Sequence, residues 1–105
     1  MGRIVIVAYK PLPGKDEELE KLVLDHFGIL RNQNLVSDKK PLIMKTSGGE
    51  LIEIFEWKSS EAIQEAHSNA EVQKLWSRFQ AVCTYEPPAS IKEFSNLFSE
   101  FESID

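Results

Sequence analysis

The alternation of apolar and polar positions divides the chain into six segments and a tail. Arg3 to Tyr9 (RIVIVAY) is a short β-branched apolar run stopped by Pro11-Leu12-Pro13-Gly14, which predicts a strand. Val5, Val7 and Tyr9 point to one side and Ile4, Ile6 and Ala8 to the other, so both faces of this strand call for cover. A partner subunit is the simplest cover for the second face. After Gly14, the acidic turn Asp16-Glu17-Glu18 complements a helix N-terminus. Leu19, Leu22, Val23, Phe27 and Leu30 then trace the buried stripe of a helix reaching Arg31, and His26 lies on that stripe. Pro41 opens a second strand, Leu42 to Thr46. Ser47-Gly48-Gly49-Glu50 turns it into a third, Leu51 to Trp57, which makes a β-hairpin.

The next helical stretch splits into Glu61 to His67 and Asn69 to Gln80. Ser68-Asn69-Ala70-Glu71 fits an S-x-x-E capping box just before Val72, Leu75, Trp76 and Phe79. Val82 to Glu86 is a last short strand, ended by Pro87-Pro88. Beyond it, Ile91, Phe94, Phe98 and Phe101 recur at spacings of three and four, which predicts a short amphipathic helix. That tail, with Leu97, carries too much apolar surface to leave in water and is expected to dock on the domain or across a dimer.

The order β-α-β-β-α-β is the ferredoxin-like split-βαβ arrangement, an α+β fold. It implies a four-stranded antiparallel sheet with both helices on one face, in a single domain over residues 1–105 with 88–105 as the tail. Composition narrows the function classes. The 105 residues, 42% of them hydrophobic, suffice for one core. Twelve basic against 17 acidic side chains leave a net charge of -5, and Lys39-Lys40 is the one adjacent basic pair, which argues against nucleic acid as a partner. No apolar run is long enough for a membrane span and no secretory signal opens the chain, so a cytoplasmic location is expected. The single cysteine, Cys83, excludes an internal disulfide and a multi-cysteine zinc site, and reads as a small buried hydrophobe.

The run Ile54-Phe55-Glu56-Trp57-Lys58-Ser59-Ser60-Glu61-Ala62-Ile63-Gln64-Glu65-Ala66-His67, continued by Val72, Leu75 and Trp76, resembles the "strand, W-x-S, helix, H" segment of the antibiotic biosynthesis monooxygenase-like family. That family belongs to the dimeric α/β barrel superfamily. The resemblance covers Ile4 to Glu86 and implies a homodimer of two sheets packed back to back, each subunit keeping its own cavity between sheet and helices. It further implies a monooxygenase-like protein without a cofactor, acting on a small apolar ligand of aromatic or quinone type. The alternatives are a non-catalytic small-molecule-binding or stress-response barrel and, third, a haem binder. The haem-degrading branch has an Asn in the first strand and an axial His late in the second helix. Here those places hold Val7 or Ala8 and Lys74, Leu75 or Trp76. In the polyketide-oxygenase branch an Asn and a Trp four apart on the third strand contact substrate; Trp57 matches, and Glu53 replaces the Asn.

Two residues stand out as candidate catalytic groups. Glu53 shares one strand face with Leu51, Phe55 and Trp57, and a carboxylate in an apolar layer can serve as a general acid or base. Its structural alternative is a cross-strand pair with Lys45. His67 closes the first helical piece, where the break before Ser68 can aim its ring inward; its alternative is a cap or a core histidine donating to a backbone carbonyl. Candidate ligand-binding residues are Trp57, His26, Tyr9, Tyr85 and Trp76. No metal-ligand spacing such as H-E-x-x-H accompanies the two histidines, so no metal is expected.

Overall fold

A computed structural model describes residues 1–104. The chain forms β1 (Arg3–Pro11), α1 (Asp16–Asn32), β2 (Leu42–Lys45), β3 (Leu51–Trp57), α2 (Ser60–Ser68), α3 (Ala70–Gln80), β4 (Cys83–Glu86) and β5 (Glu102–Ser103). The strands make one antiparallel sheet in the order β4-β1-β3-β2-β5. The fold is the ferredoxin-like α+β arrangement, with a fifth strand added to the four expected.

Register explains which side chains reach the core. On β1 and β3, Val5 pairs with Phe55, Val7 with Glu53 and Tyr9 with Leu51, so these six residues share the inner face. The buried stripe of α1 packs there through Leu19, Leu22, Val23, His26, Phe27 and Leu30. From α3, Val72, Leu75 and Phe79 complete the core. The β2–β3 hairpin turns through Gly49, whose φ of 93° suits a residue without a Cβ.

The break between the two later helices falls where expected, but a different residue caps it. Ser68 ends α2 and its hydroxyl donates to the Glu65 carbonyl. Asn69 caps α3 instead, accepting from the Val72 amide at 3.1 Å.

The tail departs from the predicted helix. It makes two short 3₁₀ turns, Pro88–Ser90 and Lys92–Ser95, and then β5, which pairs with Met44 and Lys45 of β2. Spacings of three fit single 3₁₀ turns as well as a helical face, so the apolar pattern alone does not separate the two. Ile91 is buried against Ala8 and Ile52 on the outer sheet face, with Phe94 and Phe101 beside it. Leu97 and Phe98 do not dock and remain exposed. Asp105, the last residue of the expected tail, lies outside the described residues. Part of the outer face is therefore covered by the chain itself, while Ile4, Ile6 and Leu42 on that face stay exposed.

Candidate active site

Glu53 sits in the middle of β3, between Val7 on one side and Ile43 on the other, and is completely buried. Ile43 rather than Lys45 stands opposite it, because Lys45 pairs with Leu51. The cross-strand ion pair with Lys45 therefore does not form. Two other elements supply the partners that a buried carboxylate requires. The Tyr9 hydroxyl, one step along β1 on the same face, donates to Glu53 Oε1 at 2.6 Å. From α1 above, His26 Nδ1 lies 2.8 Å from Oε1 and 3.1 Å from Oε2.

With Glu53 as the carboxylate, which only accepts, the proton in this hydrogen bond is carried by His26 Nδ1. Neutral His26 then carries a bare lone pair on Nε2. That nitrogen is buried and has no hydrogen-bond partner, alone among the buried side-chain polar atoms of the described residues. Its ring meets Phe55 and Phe79 edge-on, with centroids 5.4 and 5.2 Å away.

Those two phenylalanines and His26 are walls of a cavity of about 350 Å³ between the sheet and the helices. β1 contributes Val5, Val7 and Tyr9; β3 contributes Phe55 and Trp57; α3 contributes Trp76, Phe79 and Gln80; β4 contributes Tyr85. The walls are mainly apolar and aromatic, and the polar groups are few, as in small-molecule pockets generally. Glu53 stands behind this wall and touches the cavity through His26 and Tyr9.

Burial, reinforced by the Glu53 charge and hydrogen bond, holds the Tyr9 hydroxyl well above its ordinary pKa. Tyr85, half-exposed, is pushed up to about 12 by burial, with Cys83 and Glu53 adding to the effect. Both hydroxyls are thus donors at neutral pH. Burial pushes the Cys83 thiol up to about 11, and its sulfur donates to the Phe79 carbonyl. That leaves it without thiolate reactivity near neutrality.

The structure brings together Glu53, His26 and Tyr9, and places Trp57, Trp76 and Tyr85 around the same cavity. His67, expected as a catalytic group, is not part of this assembly. It is exposed at the end of α2, donates from Nδ1 to the Ile63 carbonyl at 2.8 Å, and meets Trp76 edge-on. Residues outside the expected set also line the cavity. Val5, Val7, Phe55 and Phe79 were accessible from strand and helix periodicity, whereas no sequence signal marks Gln80. Among the described residues no group of three or more His, Cys, Asp or Glu is placed to hold a metal ion. No helix among them is long and apolar enough to cross a membrane.

No protein-family model matches the chain, and no curated protein matches it in sequence. Solved structures do match in fold. SnoaB, a cofactor-independent oxygenase from Streptomyces nogalater, superposes with a TM-score of 0.68 at 13% identity, covering 81% of this chain and 86% of its own. Rv0793 from Mycobacterium tuberculosis superposes with a TM-score of 0.63 at 17% identity, covering 84% of this chain and 95% of its own. The chain shares its fold with a cofactor-independent oxygenase.

Proposed function

We propose that this protein is a cofactor-independent monooxygenase of the antibiotic biosynthesis monooxygenase-like family, acting on a small aromatic or quinol-type ligand. The observation that carries the reading is the buried His26–Glu53 pair, which leaves Nε2 unpartnered on a histidine that lines an apolar cavity. Cofactor-free oxygenation asks a protein for a base, donors and a dry pocket, because the deprotonated substrate is itself the electron donor. His26 Nε2 takes the acidic proton, and Glu53 stabilises the imidazolium that results. Tyr9 holds Glu53 in place. The substrate anion passes one electron to dioxygen, and the radical pair combines into a peroxide. The imidazolium returns its proton to the peroxide, and the hydroperoxide then loses water together with the remaining hydrogen on the same carbon to leave a new carbonyl, so one oxygen atom stays on the product and the other departs with two hydrogens.

Glu53 is a positioning residue in this scheme, acting through His26. The same reading pairs two copies through the outer sheet face, where Ile4, Ile6 and Leu42 are exposed, and takes the protein to be cytoplasmic. Oxygen uptake with a quinol panel is the test, repeated with His26→Gln and Glu53→Gln. Uptake lost in His26→Gln supports the assignment, and uptake surviving both changes removes it. Ligands that raise the melting temperature without being consumed identify a binding protein instead.

A further inference from the structure

Resting on the reading of the cavity as the ligand site, we infer that it selects by charge: it takes uncharged aryl compounds and rejects their carboxylate analogues, and Gln80 at its mouth sets this choice. The ten residues around the cavity include no lysine or arginine. Arg78, two places before Gln80 on α3, lines a separate surface hollow with Glu18 and Lys21. The charge joined to the cavity walls is negative, because Glu53 is hydrogen-bonded to Tyr9 and to His26 Nδ1, and both residues are walls. A carboxylate entering the cavity would lose water, meet no cation and face Glu53 across that pair, and a buried charge without a partner is costly. An uncharged aryl body is favoured there, because Phe55, Trp57, Trp76 and Phe79 replace water around it.

Exposure locates the mouth. His26, Phe55, Trp57 and Phe79 are buried, whereas Gln80 and Tyr85, alone of the ten, are exposed. A ligand therefore keeps its aryl part inside and its polar end at the side bounded by these two residues. Both side chains are uncharged at neutral pH, and neither makes a hydrogen bond within the described residues. Gln80 carries two amide donors and a carbonyl acceptor, which suit a ligand carbonyl or amide. It is also the last residue of α3, where the final carbonyls of the helix carry partial negative charge, a second feature unfavourable to an anion.

The test titrates the full-length protein at neutral pH with 2-naphthamide and with 2-naphthoate, which share size and shape and differ in charge, and follows binding by proton NMR. The two indole N–H signals report occupancy, since the chain's two tryptophans, Trp57 and Trp76, both line the cavity. The expected result is that the amide shifts both signals and binds at least about 10-fold more tightly than the carboxylate. In Gln80→Arg the carboxylate should gain about 10-fold in affinity, through a charge-assisted hydrogen bond at the mouth. Gln80 is exposed, so this change leaves the core untouched. Equal affinity for the two compounds, no indole shift with the amide, or a carboxylate affinity unchanged in Gln80→Arg overturns the inference. Oxygen uptake with quinols is scored separately: charge selection without uptake supports the inference and removes the oxygenase reading, while uptake by a protein that binds both compounds equally does the reverse.

Discussion

His26 and Glu53 meet at 2.8 Å with both side chains almost fully removed from solvent, one on a helix and the other in the middle of the sheet beneath it. Such a pair is a weak device for stability, since desolvating both groups offsets most of their attraction. It is a strong device for fixing a tautomer. Glu53→Ala should therefore destabilise the fold by about 3–5 kcal/mol, because His26 Nδ1 and the Tyr9 hydroxyl are left buried without their acceptor. Replacing all three together, with Glu53→Leu, His26→Leu and Tyr9→Phe, should recover most of that loss while abolishing any activity. Denaturant melts of the two variants check both statements, and a triple variant no more stable than Glu53→Ala counts against them.

The chain has two tyrosines, and both are held protonated beyond the ordinary range. Tyrosinate absorbance should show no step at pH 10, a midpoint about pH 12 from Tyr85, and Tyr9 titrating well above its ordinary value. In Glu53→Gln the Tyr9 midpoint should move down, since the Glu53 charge is removed while burial, with the smaller effects of Tyr85 and Cys83, remains. A wild-type step at pH 10 would contradict the buried Tyr9–Glu53 bond.

Alkaline stability follows from the same groups. The Cys83 thiol titrates at 9.0 when unperturbed and about 11 in the fold, and Tyr85 at 10.0 and about 12. Between those values the unfolded chain has released protons that the folded chain retains. Stability is thus fully present below pH 9 and falls as pH rises through the folded values, with no compensating gain from these two groups. Melting temperature against pH should decline from about pH 9 upward. Cys83→Ala should delay the onset, and an unchanged onset would exclude the thiol as a contributor.

Ile91 seals Ala8 and Ile52 on the outer face of the sheet. Ile91→Ala should cost about 2–5 kcal/mol by thermal or denaturant melting, the range for emptying a buried aliphatic site. Truncation before Ser90 should cost more. By contrast Phe98→Ser should leave the isolated subunit unchanged, because Phe98 is 83% exposed.

The exposed outer-face residues bear on assembly. Sedimentation should report a dimer at micromolar concentration, and Ile6→Lys should convert it to a 12.0 kDa monomer. A monomer in both cases would leave those side chains without the proposed cover.

Periodicity made much of this architecture legible. The doubly apolar run Arg3 to Tyr9 marked β1, the stripe through Leu30 marked α1, and the Gly48-Gly49 turn marked the hairpin. It also put His26 on the buried stripe of α1, and grouped Tyr9 with Val5 and Val7 and Trp57 with Glu53 and Phe55, leaving open which strand face meets the helices. What the sequence left open was whether His26 or His67 meets Glu53, because that depends on the height of α1 over the sheet, a packing outcome between residues 27 apart. His67 stands apart from this group for a local reason: a carbonyl one turn back, that of Ile63, accepts from its ring at the helix surface, the structural alternative the sequence also allowed. In the tail, Ile91, Phe94 and Phe101 pack on the sheet while Leu97 and Phe98 are exposed, and the backbone makes two 3₁₀ turns in place of the predicted helix, since spacings of three suit either conformation.

The two-residue strand at the end of the tail also changes how the sheet meets its surroundings. By pairing with Met44 and Lys45 it occupies part of the amide row that β2 would otherwise offer to another chain. On the opposite border, β4 is only four residues long and runs into Pro87-Pro88. With both rims blunted, end-to-end polymerisation by strand addition is disfavoured, which leaves the flat of the sheet as the surface for the proposed pairing of two copies.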